Sequence, residues 1–205
     1  MHDRRFDPAQ AHKLEDPERL TFMPPEEVLS ALHLSPGMTV ADIGAGTGYF
    51  AIPMAKAVQP AGRVYAVDLE PTMLRLLDEK LGAPSAPDNI TLVQGDAAQT
   101  SLPDELCDVL LVANVWHELE DQVEILRELC RILKPQGRLA ILDWRSDVPA
   151  RAHGAPRTQT DPPGPPREHR IPAEKVLETL RSNKFSPVES VNVGAYSYLI
   201  IARRT

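Results

Sequence analysis

The sequence predicts a doubly wound α/β domain, a mostly parallel sheet of seven strands with a C-terminal antiparallel hairpin. Three observations carry that expectation. Short β-rich runs alternate with amphipathic helical stretches between Thr39 and Asp143. The run from Cys107 to Ala113 is apolar almost throughout, as suits a parallel strand covered on both faces. The last two runs are separated by only Gly194-Ala195, which makes them a hairpin.

Residues 1–36 are charged and punctuated by proline, then turn helical. Pro24-Pro25-Glu26-Glu27 puts proline and acid at a helix start, with Val28, Leu29, Ala31, Leu32 and Leu34 at helical spacing behind it. Pro36-Gly37 ends that helix. The first strand, 39–43, breaks at Gly44-Ala45-Gly46-Thr47-Gly48, and a helix follows over 49–58 with Pro53 early in it. Strand two is 63–68, leading to a helix over 71–81; strand three is 90–94, closed by Gly95-Asp96; strand four is 107–113. A helix over 121–133 sets Val123, Leu126, Leu129, Cys130 and Leu133 on one side. Lys134-Pro135-Gln136-Gly137 stops it before strand five, 138–143. From Trp144 to Pro172 the pattern dissolves into the most proline-dense stretch, which is either a disordered insertion or a functional flap. A helix over 173–182 precedes the closing strands, 188–193 and 196–202. The expected organisation is an N-terminal arm and helix over 1–36 and one domain over 37–205, with a Pro-rich loop at 145–172.

Composition narrows the partners. A chain of 205 residues with 42% hydrophobic and 25% charged residues can bury a core and is not a disordered polymer. The 20 prolines are about twice the usual share and point to long loops. Net charge is −7 and aromatic residues are 5% of the chain, which disfavours nucleic acid and favours a small-molecule partner. Cys107 and Cys130 have neither the number for a disulfide framework nor the spacing of a metal site, so no metal is expected. No apolar run resembles a signal peptide or a membrane span, and the expected compartment is the cytoplasm.

The informative segment is Val40-Ala41-Asp42-Ile43-Gly44-Ala45-Gly46-Thr47-Gly48-Tyr49-Phe50. Gly44, Gly46 and Gly48 remove β-carbons where a ligand must approach the backbone. Asp68 lies twenty residues beyond Gly48 at the end of the next strand, placed to accept hydrogen bonds from ribose hydroxyls, although it can also cap the following helix. Dinucleotide binders carry Gly-x-Gly-x-x-Gly facing a pyrophosphate; this chain carries Gly-x-Gly-x-Gly behind an acid. A carboxylate at Asp42 repels phosphate and suits an ammonium, or is held by nearby turn amides instead. Adenosine at one end and a charged amino acid at the other describe S-adenosylmethionine.

With those motifs the sequence resembles the class I S-adenosylmethionine-dependent methyltransferases, near the type 11 branch of ubiquinone/menaquinone-biosynthesis enzymes. The resemblance spans residues 6–203 and is densest over 40–143. It implies a Rossmann-like fold, S-adenosylmethionine as methyl donor and S-adenosylhomocysteine as product. It further implies that Gly44, Gly46 and Gly48 lie under the cofactor, Asp42 faces its amino-acid end, Asp68 holds the ribose and Leu69 lies against the adenine. Gly95-Asp96-Ala97 is similar to the family's third motif, where Asp96 would take the adenine amino group and the Ala97 N–H a ring nitrogen. Asn114 sits where a family backbone carbonyl receives the methionine ammonium.

Methyl transfer from a sulfonium needs alignment and water exclusion more than acid–base help. Catalytic candidates are His117, just after strand four, and Asp143, at the end of strand five. The commoner role for such a histidine is a bonded one in a helix-start turn. The 4–18 stretch and the 145–170 loop are positioned to cover the pocket, as N-terminal arms do in this family. The expected function is methyl transfer to a small molecule. The alternatives are an RNA or protein acceptor, a nicotinamide-dependent oxidoreductase, or a non-catalytic cofactor-binding protein. The acceptor atom and the oligomeric state are not readable from the sequence.

Overall fold

The alternation of strands and helices folds into one sheet of seven strands which, numbered along the chain, lie side by side in the order third, second, first, fourth, fifth, seventh, sixth. The computed structural model describes residues 6–151 and 161–205. Residues 1–5 of the arm and 152–160 of the Pro-rich loop lie outside the described residues, and with them those parts of the expected cover. β1 (Thr39–Ile43), β2 (Arg63–Asp68), β3 (Ile90–Gln94), β4 (Cys107–Ala113) and β5 (Leu133–Trp144) run parallel. β7 (Ser197–Arg204) pairs antiparallel with β5, and β6 (Phe185–Val193) antiparallel with β7. The chain steps outward from β1 through β2 to β3, then returns to place β4 on the other side of β1. That reversal opens a crevice beyond the carboxyl ends of β1 and β4, where open α/β sheets bind ligands.

Side-chain alternation divides the core into two layers. Val109 and Leu111 of β4 face one side with Val28 and Leu32 of α2 (Pro25–Leu32), Met54 and Val58 of α3 (Ala51–Val58), and Leu77 of α4 (Pro71–Leu81). Leu110 and Val112 face the other, against Leu126 and Leu129 of α5 (Gln122–Ile132) and Val176 and Leu180 of α6 (Ala173–Arg181). In α5 the residues Ile125, Leu126, Leu129 and Ile132 are buried at helical spacing, and the Asp121 carboxylate caps the start by accepting the Glu124 N–H at 2.9 Å.

Several boundaries differ from the pattern expectation, most by a residue or two, among them the last strand, expected over 196–202 and found over Ser197–Arg204, and three have a structural reason or a register change behind them. α3 begins at Ala51 rather than Tyr49, because the glycine turn continues through Phe50 before the helix starts. β5 begins at Leu133: the pairing jumps from Cys107↔Leu133 to Val109↔Arg138, so 134–137 is a bulge within the strand rather than a loop before it. Gln136 takes φ 64° there, and Lys134 Nζ holds the Asp108 carboxylate at 2.7 Å. β6 starts three residues early, at Phe185, with a second register shift at Pro187. Ahead of the sheet, a 3₁₀ stretch (Pro8–Glu15) and a single turn α1 (Arg19–Phe22) precede α2. Asp7 and Asp16 punctuate this segment by accepting the N–H groups of Ala9 and Glu18.

Candidate functional site

The turn after β1 is fastened to β2. Gly44 and Ala45 donate their N–H groups to the Val67 carbonyl at 2.8 and 3.0 Å, and Gly46 donates to the Asp68 carboxylate at 2.7 Å. The second Asp68 oxygen accepts the Glu70 N–H at 2.9 Å, so Asp68 joins the turn to the start of α4. Each carboxylate oxygen has two lone pairs, which leaves acceptor capacity for a ligand. All three glycines hold positive φ, at 75°, 53° and 86°, but their surroundings differ. A β-carbon on Gly44 would lie 2.4 Å from a Val115 methyl, and one on Gly48 2.4 Å from a Leu77 methyl. On Gly46 it would meet only Leu14 Cδ1, at 3.5 Å. A side chain at Gly44 would displace Val115 and one at Gly48 the flexible end of Leu77, whereas Gly46 has the roomiest surroundings, with Leu14 in ordinary contact.

Asp42 is 2% exposed. Burial pushes its carboxyl up to about 7, Asp68 adds repulsion, and the Ala51 N–H and the Arg19 charge work in the other direction. Burial also raises Asp68, restrained by the Glu70 and Gly46 amides. A cation arriving beside Asp42 would favour its ionised form and offset the cost of burial.

A second cluster occupies the turn after β4. Asp143 accepts the His117 N–H and the His117 ring Nδ1, each at 2.8 Å, and also the Trp144 N–H at 2.8 Å. It thereby ties the end of β5 to the 3₁₀ turn Trp116–Glu118. The other ring nitrogen, Nε2, lies 3.7 Å from Glu118, whose carboxylate takes the Phe6 N–H at 3.0 Å. Burial opposes charge on His117, but the Asp143 carboxylate, its hydrogen bond and Glu118 outweigh that and raise the imidazole pKa. Burial pushes Glu118 up to about 7 against the pull of His117. Asn114 adopts φ 56°, gives its N–H to the Leu142 carbonyl at 2.8 Å, and directs its side-chain NH₂ to Met23 Sδ at 2.9 Å. Its Oδ1 is buried with no partner among the described residues.

The N-terminal segment lies across both clusters. Glu15 bonds Thr47 Oγ1 and, at 2.6 Å, Lys80 Nζ, which also reaches the Thr47 carbonyl at 2.7 Å. Tyr49 donates its hydroxyl to the Met23 carbonyl at 2.7 Å, and the Arg19 guanidinium stacks 3.9 Å from the Tyr49 ring centre. On the far side, Arg170 donates to the carbonyls of Arg145, Pro163 and Pro165, and Gly164 packs on the Trp144 ring. The described ends of the Pro-rich loop are thus seated on Trp144.

Of the residues expected from sequence, Asp42, Gly44, Gly46, Asp68 and Asn114 meet at this rim, and His117 and Asp143 bond each other beside it. Leu69 is exposed at the end of β2. Asp96 is exposed and accepts the Ala98 N–H at 2.9 Å in a local turn, with Ala97 half-buried beside it. Sequence reasoning pointed to the 114–121 stretch that holds Glu118 but did not single out Arg19 or Lys80 for the site. Their places depend on where the N-terminal segment and α4 lie in space, and no local spacing encodes that.

The methyltransferase-domain family pattern matches residues 41–141. Demethylmenaquinone methyltransferase of Listeria welshimeri is 30% identical over 118 residues, 58% of this chain and 50% of that protein. The ubiquinone/menaquinone biosynthesis C-methyltransferase of Pasteurella multocida is 32% identical over 112 residues, 55% of this chain and 42% of that one. The chain thus spans about half the length of the curated relatives it matches. The crystal structure of a SAM-dependent methyltransferase from Aquifex aeolicus superimposes with TM-score 0.86 at 31% identity, covering 98% of this chain and all of that one. With this sheet order, this glycine turn and these likenesses, the chain belongs to the class I S-adenosylmethionine-dependent methyltransferases, in the type 11 branch.

Proposed function

We propose that the chain moves the sulfonium methyl group of S-adenosylmethionine to a small-molecule acceptor by in-line displacement. The observation that carries this is the pair of carboxyl groups, Asp42 buried and Asp68 half-buried, beside the Gly46 turn. That arrangement fits the cofactor: carboxylates meet an ammonium and ribose hydroxyls, and the orphaned Asn114 Oδ1 is a further acceptor at the same rim. In this proposal Asp42 faces the amino-acid end, Asp68 the ribose, Leu69 and Ala97 the adenine, and Asp96 its amino group. Asn114 offers its backbone carbonyl from a left-handed conformation. Bound S-adenosylmethionine supplies an electrophilic methyl group on positively charged sulfur.

The acceptor enters between the His117–Glu118 turn, Trp144 and the N-terminal segment. With Nδ1–H directed at Asp143, His117 takes a proton at Nε2, the position that faces Glu118. An acceptor that must lose a proton gives it there; a thiolate needs no base. The N-terminal segment and the loop on Trp144 exclude water from the reacting atoms. The relatives named for demethylmenaquinone, together with the net charge of −7, favour a small molecule over RNA. The test is a screen of thiol, phenol, amine and quinol acceptors for S-adenosylhomocysteine release. Turnover with one class is expected; methylation of RNA or protein alone would overturn the acceptor assignment.

A further inference from the structure

We infer that Arg19, carried over the rim of the sheet by the N-terminal segment, binds the carboxylate of the cofactor's amino-acid end, so that Asp42 and Arg19 together recognise the zwitterion. This rests on the methyltransferase function proposed above and adds a residue outside the matched 41–141 stretch.

The position of Arg19 is built. Its guanidinium carbon sits 3.9 Å from the centre of the Tyr49 ring, and Tyr49 directly follows Gly48. The segment that bears it is fixed by the bond from Tyr49 to the Met23 carbonyl and by Leu14 lying over Gly46. Stacking holds the guanidinium plane without using its N–H groups. Of its five donors, only Nη1 has a hydrogen bond among the described residues, to the Leu14 carbonyl at 3.2 Å.

Charge points the same way. Arg19 feels the carboxylates of Glu15 and Asp42, yet no ion pair joins it to either among the described residues. A carboxylate and a guanidinium that attract one another without forming an ion pair are the complement of an α-amino acid, with its ammonium toward one and its carboxylate toward the other. The neighbouring cation Lys80 is already engaged by Glu15 and the Thr47 carbonyl. A guanidinium fork also matches a carboxylate through two parallel bonds, which an ammonium cannot do. Burial lowers the Arg19 pKa, and an arriving carboxylate offsets that desolvation.

Calorimetry separates the roles. Wild type and Arg19→Gln are titrated with S-adenosylhomocysteine and with its decarboxylated counterpart, S-adenosyl-3-thiopropylamine, which keeps adenosine, sulfur and ammonium. Wild type is expected to prefer the carboxylate-bearing ligand by about tenfold or more, and the variant to lose that preference while binding the amine within about twofold of wild type or more tightly. Equal losses for both ligands, or a preference that survives the substitution, would overturn the assignment. If Arg19→Gln lacks a folding transition, Arg19→Lys is read with the same pair: a reduced preference supports the fork and an unchanged one overturns it. No binding of S-adenosylhomocysteine to wild type would remove the methyltransferase function as well. Binding without any dependence on Arg19 would remove this inference alone.

Discussion

Asp68→Ala probes the join between fold and site. The substitution removes the acceptor for the Gly46 N–H at 2.7 Å and for the Glu70 N–H at 2.9 Å. Hydrogen bonds to a charged group contribute about 1.5–3 kcal/mol each when desolvated. Asp68 is half-buried and water can reach the freed Glu70 amide, so we expect a stability loss of about 1–3 kcal/mol. In a domain of this size that is a melting shift of about 2–12 °C. Ligand affinity should fall further, because the remaining lone pairs of the carboxylate are those offered to the ribose. The expected loss for S-adenosylhomocysteine is tenfold or more, about 1.4 kcal/mol or above. Differential scanning calorimetry reads the first effect and isothermal titration the second. A lowered melting temperature with an unchanged dissociation constant would show that Asp68 serves only the turn, and the ribose assignment would be wrong.

Other perturbations separate the remaining parts. Gly46→Val places a branched side chain at φ 53°, which costs roughly 1–2 kcal/mol of stability; it should abolish binding in a protein that still melts cooperatively, and retained affinity would mean that Gly46 does not face the ligand. Asp42→Asn keeps an acceptor for the Ala51 amide but removes a carboxyl held near 7. A raised carboxyl pKa withdraws stability as pH climbs from the ordinary carboxylate range through about 7, so the variant should gain on wild type over that interval and level off above it. It should also bind the cofactor more weakly, and thermal melts between pH 4.5 and 8.5 with parallel titrations check both signs. His117→Gln tests the cluster after β4. The raised imidazole pKa means that its pair with Asp143 contributes fully below about 6.5 and fades as pH rises through the folded value. The melting difference between wild type and variant should therefore shrink from pH 6 to pH 8.5; a constant difference would show that the imidazole charge is not what Asp143 stabilises.

The sheet was legible because its rules are local. Period-two apolar runs, the unbroken 107–113 strand and the two-residue hairpin link each restrict the backbone within a few residues, and they set the parallel order and its antiparallel close. The glycine turn was legible for a mixed reason: a β-carbon would strike Val115 at Gly44 and the end of Leu77 at Gly48, whereas at Gly46 it would meet only Leu14 at contact distance. Spacing alone cannot divide those causes. The bulge at 134–137 was hidden because Pro135 and Gly137 signal a turn equally well inside or before a strand. Arg19 and Lys80 were hidden more deeply. The N-terminal segment that carries Arg19 and meets Lys80 is held by bonds to residues 26 to 112 positions away, and such closures leave no periodic trace.

Titration of S-adenosylhomocysteine into the purified wild-type chain, with NADH in a parallel cell, addresses the central claim most directly. Saturable one-to-one binding of the first and no heat from the second is the predicted result. Silence with S-adenosylhomocysteine, or tight binding of NADH in its place, would contradict the assignment of the Asp42–Gly46–Asp68 rim to a sulfonium cofactor.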